Sequence, residues 1–197
     1  MKQYRRLLIT GFEPFGGETV NPSWQAVEAL PEQIGEWNLT KSEAPVEYGL
    51  AAQHVLELAE TMHPDAILCV GQAAGRAAVT PEYVAINLRC AAIPDNAGYF
   101  AEEEPVDAGG PDALFSTMPV RRMASAIQAA GLAGAVSFSA GTYVCNDLLY
   151  LLLLHYAGTR VRVGFVHVPL LPEQAKERPS MPLEQICGAL TAAIHAI

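Results

Sequence analysis

The chain has 197 residues, 51% of them hydrophobic, and a formal net charge of −9. That length and composition fit a single globular domain over residues 1–197 and exclude a disordered chain. The acidic balance excludes binding to a nucleic acid, which needs a basic stripe; Arg5-Arg6 and Arg121-Arg122 are isolated pairs.

The N-terminus is basic, but the apolar run behind it, Leu7-Leu8-Ile9, is shorter than the roughly 7–15 residues of a signal peptide. Arg6 to Thr10 reads as a first strand, ended by Gly11. Gly11-Phe12-Glu13-Pro14-Phe15-Gly16-Gly17 is a Gly-rich turn with two aromatics, whose exposure is costly unless they line a pocket. Asn21-Pro22-Ser23 opens a helix, with proline in its first turn. Leu39 to Val46 is a strand candidate. Gly49 to Met62 fits a helix, with Leu50, His54, Leu58 and Met62 at four-residue spacing and Pro64 beyond its end. Ala66 to Val70 is a short apolar strand closed by Gly71.

The following Gly71-Gln72-Ala73-Ala74-Gly75-Arg76 lacks the spacing of a phosphate loop. Its glycines suit a pocket in which a ligand approaches the main chain closely. Tyr83 to Leu88 reads as a strand, and residues 94–112 as a long loop that covers a site or is mobile. Pro119 to Ala130 is helical up to Gly131. Ala135 to Ala140 is strand-like, Leu148 to Tyr156 helical, Val161 to Val168 strand-like, and a final helix begins near Leu183. The Leu-rich segment 148–154 falls far short of the ~20 residues that cross a bilayer, so no membrane partner and a cytoplasmic location are expected. Apolar strands alternating with helices predict an α/β domain, layered around a sheet.

Four cysteines are scattered without a CxxC pair, which signals neither a disulfide framework nor a zinc site. Cys69 and Cys187 lie in apolar runs and read as buried structural residues; Cys90 stays open. Cys145 sits where a strand-like run turns into a helix. A helix N-terminus favours negative charge, so a thiol there is expected to have a lowered pKa. On pattern alone Cys145 remains either a buried cysteine or a nucleophile. His167, near the end of the Val161–Val168 strand, is either a core histidine or a base. Alternation puts it on the same strand face as Phe165. Such a pair needs a third group to orient the imidazole. Glu82, opening an otherwise neutral strand, is a candidate, although a solvated strand-start glutamate looks the same in sequence. The Glu102-Glu103-Glu104 run reads as solvated loop.

Together these segments resemble the pyroglutamyl peptidases, a family of cytoplasmic cysteine exopeptidases. The resemblance covers nearly the whole chain and rests on Gly11-Phe-Glu-Pro-Phe-Gly-Gly17, Asn21-Pro-Ser-Trp24, Val70-Gly-Gln-Ala73 with Gly75-Arg76, and Pro81-Glu82 with Val84-Ala-Ile-Asn87. It continues in Ile93-Pro-Asp-Asn96, Ala140-Gly-Thr-Tyr-Val-Cys-Asn146 and Gly164-Phe-Val-His-Val-Pro169. It implies a three-layer α/β/α sandwich around a mostly parallel twisted sheet, and removal of N-terminal pyroglutamate from peptides without metal or other cofactor. It implies Cys145 as nucleophile, His167 as general base and then acid, and Glu82 as the orienting carboxylate. It further implies that Phe12 and Phe15 pack against the lactam ring, that Asn21, Gln72, Ile93 and Val144 complete the pocket, and that the protein is a homotetramer.

Two positions depart from the family pattern. Ala92 stands where Arg commonly precedes Ile-Pro-Asp-Asn; Arg89 lies at an odd offset, which in an extended strand points to the opposite face. Asp147 stands where His commonly follows Cys-Asn. Its carboxylate is expected either to oppose the helix-dipole effect on Cys145 or to turn away and cap the same helix. These departures support a rival reading, a catalytically weak relative that binds pyroglutamyl peptides without efficient turnover. An unrelated thiol-dependent amidase is a third reading, but it leaves the two Phe residues of the first loop unexplained.

Overall fold

The computed structural model describes residues 4–197. The first half of the chain forms β1 (Arg5–Phe12), α1 (Pro22–Ala29), β2 (Gln33–Ile34), β3 (Trp37–Ala44), α2 (Leu50–Met62) and β4 (Ala66–Gln72). The second half adds β5 (Thr80–Pro81), β6 (Val84–Ile86), β7 (Ala113–Phe115), α3 (Val120–Ala129), α4 (Val144–His155), β8 (Arg162–Val168), α5 (Pro172–Ala175) and α6 (Leu183–His195). A six-stranded sheet runs in the order β2-β3-β1-β4-β8-β5. The four inner strands are parallel, and the two-residue edge strands β2 and β5 are antiparallel to their neighbours. The chain is therefore an α/β protein with a mostly parallel sheet and helices on both faces.

The inner strands read as unbroken apolar runs because both faces are covered. Leu7 and Ile9 of β1, Leu68 and Val70 of β4, and Val166 and Val168 of β8 face one core, under α1, α3 and α6. Their alternates Leu8, Ile67, Cys69, Val163 and Phe165 face the other, under α2 and α4. Asn21 caps α1 by accepting from the Ser23 amide, with Pro22 in the first turn as the sequence predicts. At Gly11 the start of α1 comes so close that a Cβ would lie 2.4 Å from Trp24 Cα. That contact sets the direction in which the chain leaves β1 toward Phe12 and Phe15.

Two expected strands differ. Only Val84–Ile86 of the Tyr83–Leu88 run is strand, and it pairs with β7 in a separate two-stranded ribbon. The Ala135–Ala140 run does not form a continuous strand. It lies beside residues 79–83, where Val79 bonds to Ala133 O, Ala135 to Val79 O, Ser137 to Pro81 O and Tyr83 to Ser137 O. The next rung of that parallel ladder would run from residue 81 to Ala135 O, and Pro81 has no N–H to give. The pairing is reduced to isolated bridges at Val79–Gly134 and Glu82–Ser137. No helix among the described residues is long and apolar enough to cross a membrane.

Candidate active site

Gly141, with φ at +80°, turns the chain from the 135–140 segment into α4, and Cys145 is the second residue of that helix. Its sulfur rests on β4 at Gly71. A Cβ on Gly71 would stand 2.9 Å from Cys145 Sγ and 2.7 Å from Phe165 Cζ, so a side chain there would displace one of them. The glycine that the sequence suggested for ligand approach serves the thiol instead. Strand register does the rest. Gly71 of β4 pairs with His167 of β8, and His167 pairs on its other side with Thr80 of β5. Glu82, just past β5, is anchored by its amide to Phe165 O. The thiol, imidazole and carboxylate thus converge from α4, β8 and the end of β5.

Glu82 is fully buried, and its Oε1 accepts a hydrogen bond from His167 Nδ1 at 2.7 Å. A carboxylate only accepts, so this bond places the imidazole proton on Nδ1 and leaves Nε2 as a free base. Arg76 Nη1 donates to the same Oε1 at 2.6 Å. Burial lowers the His167 pKa below its ordinary value; the hydrogen bond and charge of Glu82 oppose this, and Arg76 adds to it. Burial, followed by the charge of Glu82 and the proximity of Cys69, pushes the Cys145 thiol up to about 12. The lowered thiol pKa expected from the helix N-terminus is therefore overturned: desolvation outweighs the dipole. Both shifts favour the uncharged thiol and imidazole over a thiolate–imidazolium pair.

Cys145 and His167 lie in the wall of a cavity of about 430 Å³. Phe12, Phe15, Asn21, Gln72 and Val144 also line it, whereas Ile93 does not. Ile93 is 43% exposed and lies near Gly16 at the outer side of the first loop. Asn21 Nδ2 donates to Glu13 O, while its Oδ1 accepts from both Ser23 N and Ser23 Oγ. Ser23 Oγ accepts in turn from the Phe12 amide. Asn21 therefore fixes the aromatic loop as well as lining the cavity.

The 94–112 loop contributes no lining residue; it buttresses the wall. Asp95 accepts from the Tyr48 amide, and Asn96 Nδ2 donates to Glu13 Oε1 and Pro14 O. Tyr143 OH donates to Pro94 O, and the Tyr143 ring lies 5.9 Å from that of Phe15. Tyr143, Val46, Ala140 and Arg76 line the cavity without having been singled out from sequence. Three are apolar or aromatic residues without local signature. Arg76 gave the signal of a lone cation in a Gly-rich turn, but its partner Glu82 lies beyond the next strand. Asp147, expected to act on Cys145 or cap its own helix, does neither: it accepts from Gly49 N and Arg89 Nε.

The chain matches the family described as pyroglutamyl peptidase over residues 5–197. It is 46% identical to a pyrrolidone-carboxylate peptidase of Levilactobacillus brevis, covering 98% of this chain and 97% of the relative. A Thermococcus onnurineus protein of the same name is 45% identical, over 93% of this chain and 94% of that one. Among solved structures, pyroglutamyl peptidase I of Bacillus amyloliquefaciens superposes with a TM-score of 0.94 at 41% identity, covering 98% of this chain and 96% of that one. The pyrrolidone carboxyl peptidase of Thermococcus litoralis gives 0.92 at 32% identity, over 98% and 92% of the two chains.

Proposed function

Because the chain belongs to the pyroglutamyl peptidase family of cysteine peptidases, we propose that it removes N-terminal pyroglutamate from peptides, with Cys145 as nucleophile, His167 as base and acid, and Glu82 as orienting carboxylate. The observation that carries this reading is the Cys145 thiol beside a buried His167–Glu82 pair, in the wall of a largely apolar cavity. A lactam is uncharged, so it suits walls such as Phe12, Phe15 and Val144 better than a charged α-amine does.

Nε2 of His167 takes the thiol proton as Sγ bonds to the scissile carbonyl carbon. The charge that develops on the carbonyl oxygen is met by main-chain N–H groups at the start of α4. The amides of Asn146 and Asp147 already donate to Tyr143 O, which leaves the Cys145 amide, next to its own Sγ, as the donor for that charge. The C–N bond then breaks, the imidazolium protonates the leaving amine, and the pyroglutamyl group remains as a thioester on Sγ. Water, giving a proton to Nε2, hydrolyses that thioester and releases pyroglutamate and the thiol. Glu82 keeps its charge throughout and stabilises the transient imidazolium.

The proposal includes peptides as the partner, a cytoplasmic setting and a homotetramer, the last open to sedimentation analysis. The weak-relative reading loses one of its two supports, since the Asp147 carboxylate is held by Arg89 and Gly49. The deciding assay compares hydrolysis of a pyroglutamyl arylamide with prolyl and alanyl arylamides. Strong preference for the first is expected; equal rates, or none, overturn the proposal.

A further inference from the structure

We propose that Arg76 is a positioning residue for the acid–base pair, holding the Glu82 carboxylate against His167 and fastening that pair to the cavity wall at Ser139. This rests on the thiol-peptidase reading above and adds a fourth member to its machinery.

The turn after β4 brings Arg76 back over the site, with its amide bonded to Ala73 O and Gly75 at φ +88°. Its guanidinium then divides its donors among three elements. Nη1 donates to Glu82 Oε1 at 2.6 Å and to Thr80 Oγ1, and Nη2 donates to Ser139 O at 2.9 Å. Thr80 Oγ1 donates onward to His167 O at 3.4 Å. One planar fork thus connects the acid, the edge strand beside the base, and the wall segment leading to Cys145. A lysine ammonium has no such fixed fork.

Both donors to Glu82 converge on Oε1, and Oε2 is buried without a partner. The orientation of the carboxylate is consequently set by His167 and Arg76 alone. During the reaction His167 changes charge; Arg76 does not. It supplies a permanent countercharge to a carboxylate with no solvent exposure, where an unpaired charge is costly. The charged groups acting on the imidazole are Glu82 and Arg76, and Cys145 lines the same cavity wall. Arg76 lowers the pKa of both His167 and Cys145. Its removal therefore lets the imidazolium form at higher pH and makes the thiolate harder to reach.

The test compares Arg76→Gln and Arg76→Lys in the wild-type and Glu82→Gln backgrounds. Two readouts are taken: kcat and KM on a pyroglutamyl arylamide against pH, and alkylation of Cys145 by iodoacetamide against pH, located by peptide mapping. Arg76→Gln should lower kcat about tenfold in the wild type but less than about twofold beside Glu82→Gln, because the two residues act through one another. The acid limb of kcat/KM and the alkylation profile should both move to higher pH, and Arg76→Lys should restore their positions while recovering only part of kcat. Equal losses in both backgrounds, or an unmoved alkylation profile, overturn the proposal. Should Arg76→Gln fail to fold, Arg76→Lys still decides, since wild-type kcat in that variant overturns it. Alkylation needs no substrate, so a wild type inactive on pyroglutamyl arylamide rejects the proposed function while the role of Arg76 is judged separately.

Discussion

Arg89 donates its Nε–H to Asp147 Oδ1 at 2.6 Å, and the second oxygen of that carboxylate accepts the Gly49 amide at 2.8 Å. The only carboxylate in the first turn of α4 is thus tied to the loop before α2 and to a cation, and its charge is compensated two residues from Cys145. Burial pushes the Asp147 carboxyl up, and the Gly49 amide and Arg89 hold against it. The Arg89 guanidinium also lies over the Tyr48 ring, 5.5 Å from its centroid, next to the aromatic wall of the site.

From this pairing, Asp147→Asn is expected to leave the pH profile of Cys145 alkylation unchanged at low salt. Asp147→Ala is expected to destabilise the fold. Removing one partner of a buried pair costs about 3–5 kcal/mol in general. Arg89 keeps 20% of its side chain exposed, so water takes up part of its charge and the loss should be about 2 kcal/mol in denaturant titration. A shifted alkylation profile in Asp147→Asn would show that the carboxylate acts on the thiol after all.

The raised Cys145 thiol predicts slow alkylation of the free enzyme near neutrality. The rate should climb about tenfold per pH unit toward about pH 10, as the thiolate fraction does well below a thiol pKa. A fast, flat rate between about pH 5 and about pH 8 would instead mark a preformed thiolate–imidazolium pair. Cys145→Ala should abolish turnover on the pyroglutamyl arylamide, whereas Cys69→Ala, two residues before Gly71 on the same face of β4, should leave turnover in place.

Gly71→Ala places a methyl group 2.9 Å from Cys145 Sγ and 2.7 Å from Phe165 Cζ. Displacement of the sulfur by a few tenths of an ångström or more should lower kcat, by up to about a hundredfold for a full ångström. Overpacking should lower stability by about 1–3 kcal/mol. Steady-state kinetics with a thermal melt tests both; a variant with wild-type kcat would mean that the thiol is not seated against β4 during catalysis.

His167 sets a pH dependence of stability. Its folded pKa is lowered from the ordinary 6.5, so between the two values the unfolded chain binds more protons than the folded one. Stability then rises with pH through that window, and is lost as pH falls from 6.5 toward the folded pKa. Denaturant midpoints at about pH 7.5 and about pH 5 should fall further for the wild type than for His167→Gln. Equal falls would assign the acid sensitivity to other groups.

The layered α/β architecture and most of its elements follow from local pattern. Leu7-Leu8-Ile9 and Ala66–Val70 are too apolar for one-sided strands, the Asn21-Pro22-Ser23 cap begins α1, and Pro64 follows α2. The candidates Cys145, His167 and Glu82 were also within reach, since each stands at the end or start of an element. Their mutual relationship was not, because register is a property of paired strands. Gly71 opposite His167 and Thr80 on its other flank depend on β4, β8 and β5 lying side by side, and no short stretch of chain encodes that neighbourhood. The same limit applies to electrostatics. A helix start raises expectations of an acidic thiol, but desolvation depends on what packs around Cys145, and Gly71, Cys69 and Phe165 come from strands far along the chain. Arg76 with Glu82, and Arg89 with Asp147, are charges whose partners the fold selects, and with them the roles of all four residues.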